Sequence, residues 1–443
     1  MVGRVVDEAG WQSARLVFLV VLVGFLFACA YLTWRSAILQ PYSDMLDWLD
    51  RYNQFNRHGG LLQYLLAPHN FNRMAWTFAA IALDARLFGA NNIGFIAYDA
   101  LCLAGVAVLL AREASVGVGP LLRLPVAGFA IMLALMPGNI LDASIPINGT
   151  YVQCLLFSLL AIALGERTGQ KTQLSLRHTG ALVCFVAATL GSAAGFAVWP
   201  VMMFGAWRGG GSRLWLLLLF VAGAGYCLLY TMGNSLPGGT SGGWTLDKFV
   251  GMISFGLTYL ALPWTRAFLG LGWFAGLVVL IVGIAALLRR GGGSASRSER
   301  LATQFILYSL ATAVMAMIAR GDHGGGANVP LRYGIFMVPL HVGLLILAAP
   351  YLANWRARQP RLADIAVVAA GLLMLTQQGV MGRAIIRAAD TNRNLIAAFR
   401  AGQRTPAMTV TIHPDLAHAT AIRLRLDEEG LYTRELHLRE LPN

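Results

Sequence analysis

Gln40–Arg73 reads QPYSDMLDWLDRYNQFNRHGGLLQYLLAPHNFNR and directly follows the first long apolar run of the chain. A helix turns about 100° per residue, which puts Asp44, Asp47, Asp50, Arg51 and Gln54 on one arc and Met45, Leu46, Leu49 and Tyr52 on the other. That division predicts a helix lying along a bilayer surface, with its apolar face in the acyl boundary and its carboxylates turned away from lipid. The same stretch brings His58, His69 and Arg73 close to those carboxylates in sequence.

The surrounding composition sets what such a helix belongs to. Hydrophobic residues make up 57% of the 443 positions and charged residues 12%, against roughly 25% charged in a soluble domain. With a mean hydropathy of +0.61 and apolar runs throughout, the expected fold class is an all-α polytopic membrane protein. The net charge of +13 does not indicate nucleic acid, because the basic residues sit mostly between apolar runs, where they set orientation. The five cysteines lie inside apolar runs without metal or redox spacing, so they read as core residues.

Eleven transmembrane helices are expected, at about Arg15–Leu39, Asn92–Leu110, Leu124–Met136, Tyr151–Leu164, Gly180–Ala194, Phe196–Trp207, Leu214–Met232, Ala267–Leu288, Leu301–Ile318, Tyr333–Leu352 and Leu362–Met381. Several fall short of the ~20 residues that a straight span needs. With the N-terminus inside, the inner segments hold 16 of the 34 Lys and Arg, the outer loops nine and the tail nine. This bias predicts a cytoplasmic N-terminus, with the C-terminus and the chemistry outside, facing the periplasm of a bacterial inner membrane. Leu246–Leu262 reads as a second interfacial or re-entrant helix, since making it a span would invert every later loop. Two regions follow: a transmembrane domain over 1–381 with its first periplasmic loop at 40–91, and a small α/β-like periplasmic tail over 382–443. The tail is expected to hold a strand near Met408–Ile412 and a helix near Asp415–Glu429, and to pack on the outer loops.

Asp44 and Asp47 lie one helical turn apart, hence on one face. A partly desolvated carboxylate there can hold a raised pKa and take a proton from an acceptor hydroxyl; Asp50 reads as an ordinary residue of the polar face. His69 and Asn70, with Arg73 on the same helical face, offer contacts to a head group or phosphate. Arg320 and Arg332 bracket RGDHGGGANVPLRY, a glycine-rich loop whose backbone can approach a ligand closely between two guanidinium groups, and this suits a phosphate or pyrophosphate. Asp142, in a further outer loop, is a candidate carboxylate for a metal. Asp99 inside the second span must face protein.

An acidic motif after the first span (SDMLD), an HN-x-x-R sequence (HNFNR) and a late outer loop ending in Arg332-Tyr333 together resemble the GT-C superfamily of polytopic glycosyltransferases. The bacterial members of the aminoarabinose and protein mannosyl transferase type come closest. The resemblance implies transfer of a sugar from a polyprenyl-phosphate donor to a periplasmic lipid, glycan or protein acceptor, with inversion at the anomeric carbon. Asp44 matches the family's catalytic carboxylate, with Asp47 as second acid, and Arg332 resembles its ligand for the lipid phosphate. Where many members have adjacent acids, Ser43 precedes Asp44 here, so a divalent ion (Mg or Mn) is left open. Two other readings stand beside it: an O-antigen ligase or polymerase relying on late-loop arginine and histidine such as His323, and a lipid-linked saccharide flippase.

Overall fold

The computed structural model describes all residues except 1, 70–71, 169–173, 232–244, 263, 265–271, 289–294, 321–328 and 432–443, and the side chains of all it describes but 2–10 and 168. The helices are α1 Val2–Ser36, α2 Asp44–His58, α3 Leu61–Leu65, α4 Ala75–Phe88, α5 Ile93–Ser115, α6 Pro120–Ala134, α7 Pro137–Ser144, α8 Pro146–Thr168 and α9 Leu176–Thr189. They continue as α10 Val198–Arg208, α11 Arg213–Thr231, α12 Leu246–Leu260, α13 Gly272–Leu288, α14 Arg297–Arg320, α15 Val338–Arg358, α16 Pro360–Arg400, α17 Met408–Thr411 and α18 Leu416–Glu428. A two-stranded hairpin pairs β1 Pro68–His69 with β2 Asn72–Arg73, and 3-10 turns at Ala193–Ala197 and Leu331–Met337 lead into α10 and α15.

Among the described residues, seven helices are long and apolar enough to cross a membrane, or eight if α6 and α7, bent by 52°, form one broken span. Two shorter apolar helices, Leu176–Thr189 and Gly272–Leu288, stand beside them, so eleven full-length spans are not found among the described residues. The bend falls at Met136-Pro137, where proline starts α7 with no N–H to continue the ladder. The runs expected at 180–194 and 196–207 are cut by the 3-10 turn at Ala193–Ala197, leaving α9 with 14 residues and α10 with 11. The exposed side chains of Val20, Phe27, Leu101, Val108, Phe220 and Leu373 form the apolar outer face of the bundle.

Close backbone approach fixes some of the packing. A Cβ on Gly276 would collide with the Leu257 carbonyl, so α12 and α13 touch through glycine. Asp84, at the end of α4, accepts hydrogen bonds from the backbone N–H groups of Asn92 (2.8 Å), Gly94 (2.7 Å) and Phe95 (3.3 Å). It thus satisfies the free amides that open α5. Burial pushes its carboxyl above the usual range, and those three amides pull it back down.

At one end of the bundle, carboxylates that the sequence reading passed over hold arginines from distant helices. Glu113 of α5, 1% exposed, receives Arg167 at 2.7 Å and Arg297 at 2.6 Å. Glu166 of α8 receives Arg300 at 2.6 Å and Gln304. Residues that the charge count assigned to one side of the membrane are thus gathered at one end. Glu113→Gln is expected to destabilise the fold by about 2–3 kcal/mol, the scale of charged hydrogen bonds lost at a buried acceptor. Thermal unfolding in detergent measures it. Orientation is a separate test: with the native cysteines replaced, Ser298→Cys should resist a membrane-impermeant maleimide added outside, while Gln403→Cys should react. External labelling at position 298 would overturn the inside assignment of that loop.

A second core lies beyond the other end. Met45, Leu46, Trp48, Leu49 and Tyr52 of α2 pack with Phe78 and Ile81 of α4 and with Ile396, Phe399, Met408, Ile412, Ile422 and Leu426. The apolar face of α2 is therefore covered by protein rather than laid in the acyl boundary. The tail covers it as helices: Met408–Thr411, expected as a strand, is a short helix that sends Met408 and Ile412 into this core, so tertiary burial overrides the β-branched residues' preference. The 381/382 boundary falls inside α16, which runs unbroken for 41 residues.

Candidate functional site

The start of α2 is held by the last transmembrane helix. Arg393 of α16 donates to the carbonyls of Arg35 (3.0 Å) and Ala37 (3.1 Å), satisfying acceptors left free where α1 ends. Asn92 donates to the Ile38 carbonyl at 3.0 Å. The chain then turns through buried Pro41 and Tyr42 to Ser43, whose φ of +56° with ψ of −141° is a conformation that costs a non-glycine residue on the order of 1–3 kcal/mol. The next residue, Asp44, opens α2.

Asp44 Oδ2 lies 3.2 Å from His69 Nε2, and the aspartate side chain is 38% exposed. The His69 hydrogen bond holds the Asp44 carboxyl below its usual range against the opposing cost of burial, and the electrostatic influence of His69, His413 and Arg332 works in the same direction. The expected raised pKa is thus reversed, because Asp44 faces a histidine donor rather than apolar surface.

His69 does not stand on a helix. It lies in the hairpin, where His69 pairs with Asn72 and Pro68 with Arg73, and its ring meets Trp48 edge-on at 5.3 Å. The expected shared helical face with Arg73 is therefore absent. Arg73 is 8% exposed; it donates to the Leu229 carbonyl of α11 at 3.2 Å and to the Leu66 carbonyl. Asn72, unremarked in the sequence, accepts from the Ala193 amide at 2.8 Å. These bonds anchor the hairpin to the transmembrane bundle and so set the height of His69. Asn70 lies outside the described residues.

The late loop supplies the opposite charge. Arg332 and Arg320 both lie over the Tyr333 ring, 5.6 and 5.5 Å from its centroid. Tyr333 meets Tyr151 at 5.4 Å and Tyr259 at 6.1 Å, both edge-on. Asp142 is fully buried on α7, with neither carboxylate oxygen hydrogen-bonded, and the Arg332 Nε is buried without a partner too. Arg332 acts electrostatically on both Asp142 and Asp44. A cavity of about 390 Å³ opens beside this group, lined by Asn72, Tyr151, Tyr230, Tyr259, Thr312, Arg320 and Tyr333 among others. His323 and the glycine run of its loop lie outside the described residues.

Asp44, His69, Arg332, Arg320, Tyr333 and Asp142 thus converge at one end of the bundle, and Tyr151 and Tyr259 join them without a sequence signal beyond being aromatic. Asp47 turns away: its oxygens face His418 at 3.0 Å and His413 at 3.5 Å in the tail. Asp50 makes a two-pronged pair with Arg425 at 3.1 and 3.0 Å, a bracing contact between α2 and α18. Asp99 is buried and accepts from Gln153 at 2.7 Å. Chemically, the arrangement offers an ionised carboxylate in reach of solvent and a desolvated guanidinium with donor capacity to spare, beside an aromatic cavity.

No family model matches the chain, and no curated protein does. Among solved structures, the chain is similar to the crystal structure of ArnT from Cupriavidus metallidurans in the apo state, at 16% identity and a TM-score of 0.41, over 96% of this chain and 76% of that one.

Proposed function

We propose that this protein is a glycosyltransferase of the outer face of the bacterial inner membrane, moving a sugar from a polyprenyl-phosphate donor to a cell-envelope lipid, glycan or protein. The observation that carries the reading is electrostatic. The Asp44 carboxylate, paired with His69, lies within electrostatic reach of the Arg332 guanidinium, whose neighbour Tyr333 lines an aromatic cavity. Inverting transfer needs two such groups on opposite sides of the anomeric carbon.

Asp44 accepts the proton of the acceptor hydroxyl as its oxygen bonds to the anomeric carbon. The bond from that carbon to the donor phosphate breaks, and the electron pair leaves on the phosphate oxygen, where Arg332, with Arg320 behind the same tyrosine, offsets the growing charge. His69 orients Asp44 and keeps it ionised. The aromatic lining suits a sugar ring, and the surrounding bilayer keeps an isoprenoid tail at hand. Purified protein in lipid nanodiscs, given radiolabelled polyprenyl-phosphate sugars and a cell-envelope extract, should pass label to an extract component. Failure with every donor of this class, under conditions where the protein is folded, would overturn the reading.

A further inference from the structure

Asp47 is in the acidic motif of the first outer loop, yet it takes no part in the Asp44 and Arg332 group. Its carboxylate instead lies between two tail histidines. His418 Nε2 is 3.0 Å from Oδ1 and His413 Nε2 is 3.5 Å from Oδ2, and one donor atom from each of the three residues lies within 4.8 Å of the other two. Four ligands around an ion at bond lengths of about 2.0–2.1 Å are spaced about 3.3 Å apart, and the two contacts straddle that value. Two imidazolium rings centred 5.3 Å apart would repel each other over one carboxylate, whereas a single dication suits two neutral imidazoles and one carboxylate.

The surroundings fix the ligands as a metal site requires. His413 Nδ1 lies against the backbone of Asp415, 2.8 Å from its carbonyl and 3.0 Å from its amide nitrogen, and this holds the ring with Nε2 facing Asp47. A backbone contact behind a ligand histidine fixes the orientation of its ring. The Asp415 carboxylate caps α18 through the amides of Ala417 and His418, both at 2.9 Å, and so fixes the backbone that carries the second imidazole. Asp47 is held from below by the fully packed Leu46 and Trp48. His418, 48% exposed, leaves the remaining side open to water.

We propose that Asp47, His413 and His418 bind one zinc-type divalent ion that fastens the C-terminal helices to the first outer helix, one turn from Asp44. Two nitrogens and one carboxylate oxygen match zinc, with water as fourth ligand. The proposal does not depend on the transfer reaction, so either can fail alone.

The test uses the full chain in detergent, stripped with chelator and titrated with Zn2+ by calorimetry and with Co2+ by visible absorption. One equivalent should bind, with the visible bands of four-coordinate cobalt, and Zn2+ should raise the thermal midpoint. His413→Gln, His418→Gln and Asp47→Asn should each weaken binding by more than about tenfold, while Asp50→Asn, which loosens contacts with Arg425 and Gln54 and touches none of the three ligands, should bind as the wild type does. Absence of saturable binding to the wild type overturns the proposal, as does unchanged binding by a folded His413→Gln/His418→Gln double variant. A midpoint that ignores chelator and Zn2+ but falls on raising the pH through the histidine range assigns the contact to charged histidine pairs alone and overturns it as well.

Discussion

Asp44→Asn is expected to lower the turnover of sugar transfer by roughly 10²–10⁴-fold, the contribution of a positioned general base. The substitution keeps the shape and leaves an oxygen to accept from His69, so the start of α2 should hold and the loss should be chemical. Initial rates of label transfer measure it, with chromatographic monodispersity as the folding check. Asp50→Asn is the control and should keep most activity, because Asp50 braces Arg425 at 3.0 Å and does not line the aromatic cavity. Full activity of the Asp44 variant would remove the base assignment and move the chemistry to the late loop. The pH dependence has a definite sign. With its folded pKa held below the usual carboxylate range, Asp44 stays ionised until the pH falls through that depressed value. The stabilisation from its pairing is present above the unfolded pKa and disappears on acidification. His69→Ala removes the largest lowering influence and should shift the acid limb of kcat/KM upward.

Arg332→Lys is expected to raise the barrier by roughly 2–4 kcal/mol, by analogy with removal of an oxyanion donor, which is about 30- to 1000-fold in turnover. An ammonium supplies charge but neither the planar fork nor the buried Nε that lacks a partner. Arg320→Ala should act mainly on apparent donor affinity, since Arg320 sits at the exposed end of α14. Kinetics over a range of polyprenyl-phosphate sugar concentrations separate the two effects. Wild-type turnover and affinity in Arg332→Lys would make the arginine an interfacial anchor, and the donor phosphate would then have to be sought near His69.

The long apolar runs of α1, α5, α8, α11 and α14 could be read directly because each is both long and continuous. The faces of α2 could not, since an amphipathic arc looks the same whether lipid or protein covers it, and its cover comes from residues some 350 positions away in the tail. Met408–Ile412 misled for a related reason: five residues are too few for periodicity to separate a strand from a helical turn. Asp44, His69 and Arg332 stood out as polar residues at the ends of apolar runs. Their convergence, and the pairing of Asp47 with His413 and His418, depend on long-range packing that no local spacing records.

The helix α16 gives the outer core an angular address. Its 41 residues make a rod of about 60 Å, roughly twice the hydrocarbon thickness of a bilayer, and its N-terminal end is pinned where Arg356 meets Asp364 at 3.3 Å. Ile396 and Phe399, near its other end, are therefore presented to the outer core at a bearing set by residue count. One residue more or fewer in the protruding half would swing them by about 100°. Drift in length, ordinarily harmless near the end of a chain, is here a change of aim.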